Sequence, residues 1–183
     1  MPGTVRALRA LPPVGLVDIV AGAETVLVAH TANTDVASLA RLLVELEPLA
    51  AGPGEVRTVT IEVVYDGPDL DDVASATGLT RAEVVARHSG AGYEVAFCGF
   101  SPGFAYLRGL DRGLVVPRLG SPRTLVPAGS VAIADSWSAV YPRQSPGGWR
   151  LLGRTDAVLW DLGRPAPALL TAGTRVRFVP VRP

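Results

Sequence analysis

The segment Phe97-Cys98-Gly99-Phe100-Ser101-Pro102-Gly103-Phe104-Ala105-Tyr106-Leu107 gathers three of the chain's four phenylalanines around two glycines and a proline. Rings supply apolar area, and glycines let backbone amides approach a ligand, so the segment suits the wall of a small-molecule pocket. A hydrophobic turn between two strands accounts for the same composition. Phe100, Pro102, Gly103, Phe104 and Tyr106 are the binding candidates it offers. The dipeptide Pro-Arg recurs at Pro117-Arg118, Pro122-Arg123 and Pro142-Arg143. Proline fixes the backbone just ahead of a guanidinium, which suits a fork aimed at a carboxylate or phosphate. Arg118 and Arg123 flank a Gly-Ser turn and are the stronger candidates, Arg118 for binding and Arg123 for catalysis. Ser130, which closes the turn Pro127-Ala128-Gly129-Ser130, and Thr155, which follows Gly153-Arg154, are hydroxyl candidates. His88 sits where a helix should end; it is either a general acid–base or a favourable charge at a helix C-terminus. The acidic run Asp66, Asp69, Asp71 and Asp72 reads as turn and N-cap chemistry in preference to a metal site.

Composition narrows what these residues can do. All 17 cationic residues are arginine, and there is no lysine. That excludes a Schiff-base lysine, a biotinyl-lysine or lipoyl-lysine in this chain, and a Walker A lysine. One cysteine, Cys98, excludes an intrachain disulfide, and with two histidines it makes a zinc site a poor expectation. No GxxxxGK[ST], GxGxxG after a strand, GxSxG or HExxH occurs. Arginine is balanced by 17 acids, so the chain lacks the field that draws a protein to nucleic acid or anionic lipid. With 48% apolar and 19% charged residues and a mean hydropathy of +0.31, 183 residues suffice for a packed core. Prolines and Asp18 in the first twenty residues do not read as a secretion signal, and no apolar run reaches bilayer length. A cytoplasmic protein, acting on neither nucleic acid nor membrane, is expected.

Two textures position these residues. The first covers residues 1–78 and alternates strand and helix. Val17–Val20 and Thr25–Ala29 read as a hairpin about Gly22. Val36 to Leu49 carries a helical apolar stripe that Asp35 or Thr34 caps. Arg57 to Tyr65 alternates with period two and is β-branched, hence a strand. A short helix opens at Asp69 and stops at Gly78. The second texture, residues 79–183, begins with the capping box Thr80-Arg81-Ala82-Glu83 ahead of a helix ending near His88. Short apolar runs then recur between Gly and Pro, at Tyr93–Cys98, Leu114–Val116, Thr124–Val126, Ser130–Ala134, Ala139–Tyr141, Trp149–Leu152, Val158–Trp160 and Arg175–Val179. Their spacing argues for a closed or nearly closed β-barrel. The fold class expected is mainly β, with a small α+β N-terminal part.

The ordered set His88, Tyr93, Gly99-Phe100-Ser101-Pro102-Gly103-Phe104-Ala105-Tyr106-Leu107, Pro117-Arg118, Pro122-Arg123, Pro127-Ala128-Gly129-Ser130-Val131, Tyr141-Pro142, Ser145-Pro146-Gly147-Gly148-Trp149 and Gly153-Arg154-Thr155 resembles one family. Its members are variously called allophanate hydrolase subunit 1, the B-type subunit of 5-oxoprolinase, or KipI-type kinase inhibitors. The resemblance covers roughly residues 57 to 183. It implies a cyclophilin-like β-barrel after a ferredoxin-like domain, here shorter by about one βα unit. It also implies a non-autonomous hydrolase component. Such a component joins a homologous C-type subunit (of the allophanate hydrolase subunit 2 kind) and, with an A-type subunit, opens 5-oxoproline to glutamate using ATP. The ATP would be held by the assembled complex. The other activities attached to the family are inhibition of a sporulation histidine kinase and a carboxyltransferase role in urea amidolyase-type systems, which requires a biotinylated partner.

Overall fold

The computed structural model describes residues 2–49 and 57–182, which fall into two compact units, Met1–Glu55 and Val56–Pro183. In the first unit, helix α1 (Pro2–Ala10) precedes an antiparallel hairpin of β1 (Leu16–Ala21) and β2 (Val26–His30), followed by helix α2 (Val36–Glu45). Asp35 caps α2 by accepting from the amides of Ala37 and Ser38. Val5 and Leu8 of α1 pack on Ile19, with Val28, Leu43 and Leu46 around them. The hairpin and α2 follow the sequence expectation. Helix α1 was not expected, because its apolar stripe is only Val5 and Leu8.

The second unit carries a seven-stranded sheet in the order β10-β7-β8-β5-β4-β11-β3. Its strands are β3 (Thr58–Val63), β4 (Tyr93–Cys98), β5 (Ala105–Arg108), β7 (Ser130–Ala134), β8 (Trp137–Val140), β10 (Arg150–Arg154) and β11 (Arg175–Pro180). Every pairing is antiparallel except β3 with β11. The two ends of the sheet meet at an isolated bridge, continued by the Gly67 amide donating to the Leu152 carbonyl at 3.0 Å and the Asp69 amide to the Leu151 carbonyl at 3.1 Å. Val64 and Arg154 exchange both backbone bonds at 2.9 Å, so the sheet is a nearly closed barrel. Helices α3 (Leu70–Thr77) and α4 (Arg81–Gly90) pack Leu70, Val73 and Val84 into the same core as Ile61, Leu107, Ile133 and Phe178. The Thr80–Glu83 capping box opens α4, and Gly78 ends α3 at φ 70°.

The sequence texture changes near residue 79, whereas the compact units divide at 55/56. The parallel pairing of Thr58–Val63 with Arg175–Pro180 is what joins the earlier segment to the barrel. A pairing across more than a hundred residues leaves no local trace. Two expected strands are also replaced. Leu114–Val116 becomes a 3-10 turn (Arg112–Leu114) and a lone bridge from Val116 to Asp135, while Val158–Trp160 keeps only the Trp160–Ala168 bridge. Leu114 and Leu159 are apolar because they plug the core, without any ladder.

A separate two-stranded ribbon, β6 (Arg123–Val126) with β9 (Ser145–Gly147), covers the sheet's second face. It is fastened by one buried carboxylate. Asp69, at the start of α3, accepts from Arg123 Nη2 at 2.6 Å and from the Leu151 amide at 2.7 Å. Removing a buried partner strands the other group, so Asp69→Ala should cost about 3 kcal/mol in denaturant unfolding. Hydrogen exchange should then quicken in β6 and β9 more than in β7 and β8.

Candidate functional site

Period-two alternation sends different residues to the two faces of β5, β7 and β8. Ala105, Leu107, Val131, Ile133 and Val140 enter the barrel core. Phe104, Tyr106, Ala132, Ala134, Ala139 and Tyr141 face the other way, towards Trp149. The three alanines leave the floor of this second face low, and aromatic rings stand around it. A cavity of about 290 Å³ results, lined by Phe100, Phe104, Tyr106, Arg118, Ala134, Asp135, Trp137, Tyr141, Pro146, Gly147 and Trp149. Its rings meet edge to face, as at Phe104–Tyr141 (5.4 Å) and Phe104–Trp149 (5.7 Å).

The loop at its mouth is built by its own sequence. Ser101-Pro102-Gly103-Phe104 closes a turn in which the Phe104 amide donates to the Ser101 carbonyl at 3.0 Å. Proline at the second position and Gly103 at φ 83° are the requirements of a type II turn. Gly103 is also held by space, because a Cβ there would stand 2.9 Å from Trp160 Cβ and 3.2 Å from Pro142 Cβ. The described chain has two non-glycine residues at positive φ, Phe100 (66°) and Asp135 (49°), and both line this cavity. Such conformations cost about 1–3 kcal/mol and gather at ligand sites. Phe100 is 60% exposed and stands edge-on to Phe104 and Tyr141.

The polar side-chain groups of the cavity are one guanidinium, one carboxylate, two phenols and the two indole N–H groups of Trp137 and Trp149. Arg118 forms no ion pair among the described residues. The Leu119 amide donates to the Gly148 carbonyl at 2.7 Å and fixes this segment against the ribbon. Burial raises the Tyr106 and Tyr141 hydroxyls above the usual phenol range, and Arg118 opposes that rise at both. They are therefore neutral hydrogen-bond donors at physiological pH. Gly147 leaves room for the Tyr141 hydroxyl, which a Cβ there would strike.

The structure thus brings together Phe100, Phe104, Tyr106 and Arg118 of the sequence candidates, with Pro102 and Gly103 shaping the mouth. It sets the others apart. Arg123 is engaged by Asp69, with its Nη1 buried and unpartnered among the described residues. Ser130 is buried and donates to the Pro127 carbonyl. Thr155 lies by the barrel seam and accepts from the Ala157 amide. His88 is fully buried between Tyr65 and Ser138. Ser138 Oγ donates to the Ala132 carbonyl, so it accepts from His88 Nε2–H, and the bare Nδ1 accepts from the Tyr65 hydroxyl at 2.7 Å. Asp135, Trp137, Tyr141 and Trp149 were missed by sequence reasoning as site residues. The signal available for Tyr141 and Trp149 was their place in the two motif strings; Asp135 and Trp137 carried none. Among the described residues no cluster of three metal-ligating side chains occurs, and no helix is long and apolar enough to cross a membrane.

Burial holds His88 neutral and lowers its pKa to about 3, against 6.5 for the free side chain. A depressed folded-state value means that the unfolded chain binds the extra proton. Stability contributed by this site is therefore complete above pH 6.5 and is lost as pH falls towards 3. The expected slope is about 1.4 kcal/mol per pH unit. Unfolding measured between pH 6.5 and 4 should show it, and His88→Gln should flatten that part of the profile.

Comparison with known proteins places the chain among relatives. The family described as "Carboxyltransferase domain, subdomain C and D" matches residues 3–170. The B subunit of 5-oxoprolinase from Escherichia coli O157:H7 is 50% identical over 129 residues, which are 69% of this chain and 59% of that protein. The B subunit of 5-oxoprolinase from Haemophilus influenzae is 38% identical over 168 residues, 90% of this chain and 79% of its own length. The crystal structure of TTHA0988 superposes with a TM-score of 0.86 at 38% identity, covering 99% of this chain and 36% of that one. The chain thus spans about three-fifths of the length of its E. coli relative.

Proposed function

The chain belongs to the carboxyltransferase domain, subdomain C and D, family, and from that premise we propose that it is the B-type subunit of an ATP-dependent 5-oxoprolinase, acting with C-type and A-type subunits on a cyclic amide. The observation that carries the reading is the aromatic cavity with one uncommitted guanidinium, Arg118, at its side. Relatives named as B subunits of 5-oxoprolinase support the same assignment.

The cavity's polar groups match a lactam acid. Arg118 takes the carboxylate as a fork. Asp135, an acceptor only, takes the ring N–H, and the neutral hydroxyls of Tyr106 and Tyr141 donate to the ring carbonyl. Phe104, Trp137 and Trp149 supply the wall for the ring's methylenes, and Phe100 closes the mouth against water. At about 290 Å³ the cavity lies at the small end of ligand sites and suits one ring of few atoms. It does not suit a nucleoside triphosphate. It holds a single guanidinium and also the Asp135 carboxylate, the chain has no lysine, and no phosphate-binding glycine loop is present. Nucleotide chemistry is accordingly assigned to the assembled complex, and this chain's part is to hold and orient the amide. Arg123 is a positioning residue in this scheme, and His88 a neutral tie between α4 and the sheet. The allophanate-type carboxyltransferase reading uses the same cavity for a smaller amide acid.

The deciding experiment is ATP-dependent release of glutamate from 5-oxoproline by a mixture of the three subunit types, with this chain present or omitted. Turnover should require the chain. Arg118→Ala should lower kcat/KM for 5-oxoproline about 100-fold, mostly through KM, the loss expected for one charge-assisted pair. Arg123→Ala should instead lower activity in step with loss of stability. No turnover, despite assembly of the complex, sinks the 5-oxoproline assignment and directs the search to allophanate.

A further inference from the structure

We infer that the open edge of β3 is a self-association surface, on which a second copy of the chain adds its own β3 antiparallel about a twofold axis at Thr60. The parity of the backbone shows the edge. Carbonyls of Arg57 and Val63 accept from Arg175 and Val181 of the neighbouring chain segment, so odd-numbered residues turn their peptide groups towards β11. Val64, an even-numbered residue, turns the other way and bonds to Arg154. Thr58, Thr60 and Glu62 share that outward parity, and among the described residues no strand pairs with them on that side. After Arg154 the chain leaves the sheet: the Thr155 amide turns to Gly129, and Ala157 bonds to the Thr155 side chain. The wedge so opened, lined by Thr60, Glu62, Val64, Arg154, Thr155, Asp156, Ala157 and Val181, has a volume of about 380 Å³.

Natural edges are usually blunted by lysine, proline or a bulge. The sequence of β3, Thr-Val-Thr-Ile-Glu-Val, has neither residue, and its ladder with β11 runs without a register shift. Pairing with a second β3 sets Thr60 against the partner's Thr60 and Thr58 against the partner's Glu62. Residues with outward peptide groups then oppose one another throughout, giving about six backbone hydrogen bonds. Threonine pairs are favourable across strands.

Charge selects this occupant. Glu62, Arg175 and Arg177 are exposed, and none of them forms an ion pair among the described residues. Arg175 lies beside Thr58 and Arg177 beside Thr60 in the register. In the paired arrangement the row reads Arg175, Thr58, then the partner's Glu62. Two strand spacings, roughly 10 Å between Cα atoms, are within reach of an arginine side chain. The twofold axis repeats the match, so two unpaired guanidiniums meet two unpaired carboxylates. A five-residue edge buries little area, so the association is concentration-dependent.

Sedimentation velocity of the full chain at low salt, from micromolar to millimolar, tests this. A monomer–dimer shift is expected. Thr60→Pro should abolish it while keeping the wild-type far-UV spectrum, because the Thr60 amide faces outward and edge proline is tolerated there. Glu62→Arg should weaken dimerisation about tenfold or more, and the swap Glu62→Arg with Arg175→Glu should restore it. The swap keeps the test intact should the proline variant not fold. A chain that stays monomeric throughout overturns the inference, as does a dimer that survives the charge reversal unchanged.

Discussion

A strand can show one face to one environment and its other face to another, and here both faces of the same sheet are buried. Strands β5, β7 and β8 put aliphatic side chains into the barrel and aromatic or alanine side chains beneath the β6–β9 ribbon. The period of two allows no compromise: a one-residue slip would exchange the two sets. The ribbon is what makes the second face an interior, and a buried carboxylate, Asp69, is what holds the ribbon down. Cavity, ribbon and ion pair are thus consequences of one requirement, that the second face be covered without being filled.

The same requirement explains why two arginines in similar contexts have separate fates. Arg118 and Arg123 each follow a proline and lie on either side of one turn. Arg123 begins β6, so the ribbon's pairing with β9 aims it back at the start of α3, where Asp69 waits. Arg118 precedes the ribbon and lines the aromatic cavity, where it forms no ion pair among the described residues. Strand register, not residue type, commits one to an ion pair and leaves the other lining the cavity.

His88 is a similar case. Histidine at a helix end invites an acid–base reading, yet each hydrogen bond around it has a single consistent direction, from Tyr65 through His88 and Ser138 to the Ala132 carbonyl. Such a chain is satisfied only with neutral imidazole, and burial enforces that state. Its contribution is to couple α4 to the sheet behind the cavity, with a cost that appears only under acid.

What the sequence determined by itself was local. The capping box of α4, the alternation of β3, the type II turn at Ser101–Phe104 and the succession of short strands follow from residue preferences within a few positions. The specific strings about Phe104 and Trp149 also carried the family resemblance. Composition removed lysine chemistry and a phosphate-binding loop. Tertiary structure decided what depends on distant residues meeting. It joined Thr58–Val63 to the barrel through Arg175–Pro180, against the change of texture near residue 79. It placed Arg118 on the cavity and Arg123 in an ion pair with Asp69, and brought Asp135 and Trp137 to the cavity wall from a turn with no motif. It also left the outer edge of β3 without a paired strand among the described residues, beside a seam closed at Val64 and Arg154. Pairing across a hundred residues is set by the summed packing of a core, and no window of neighbours contains that sum.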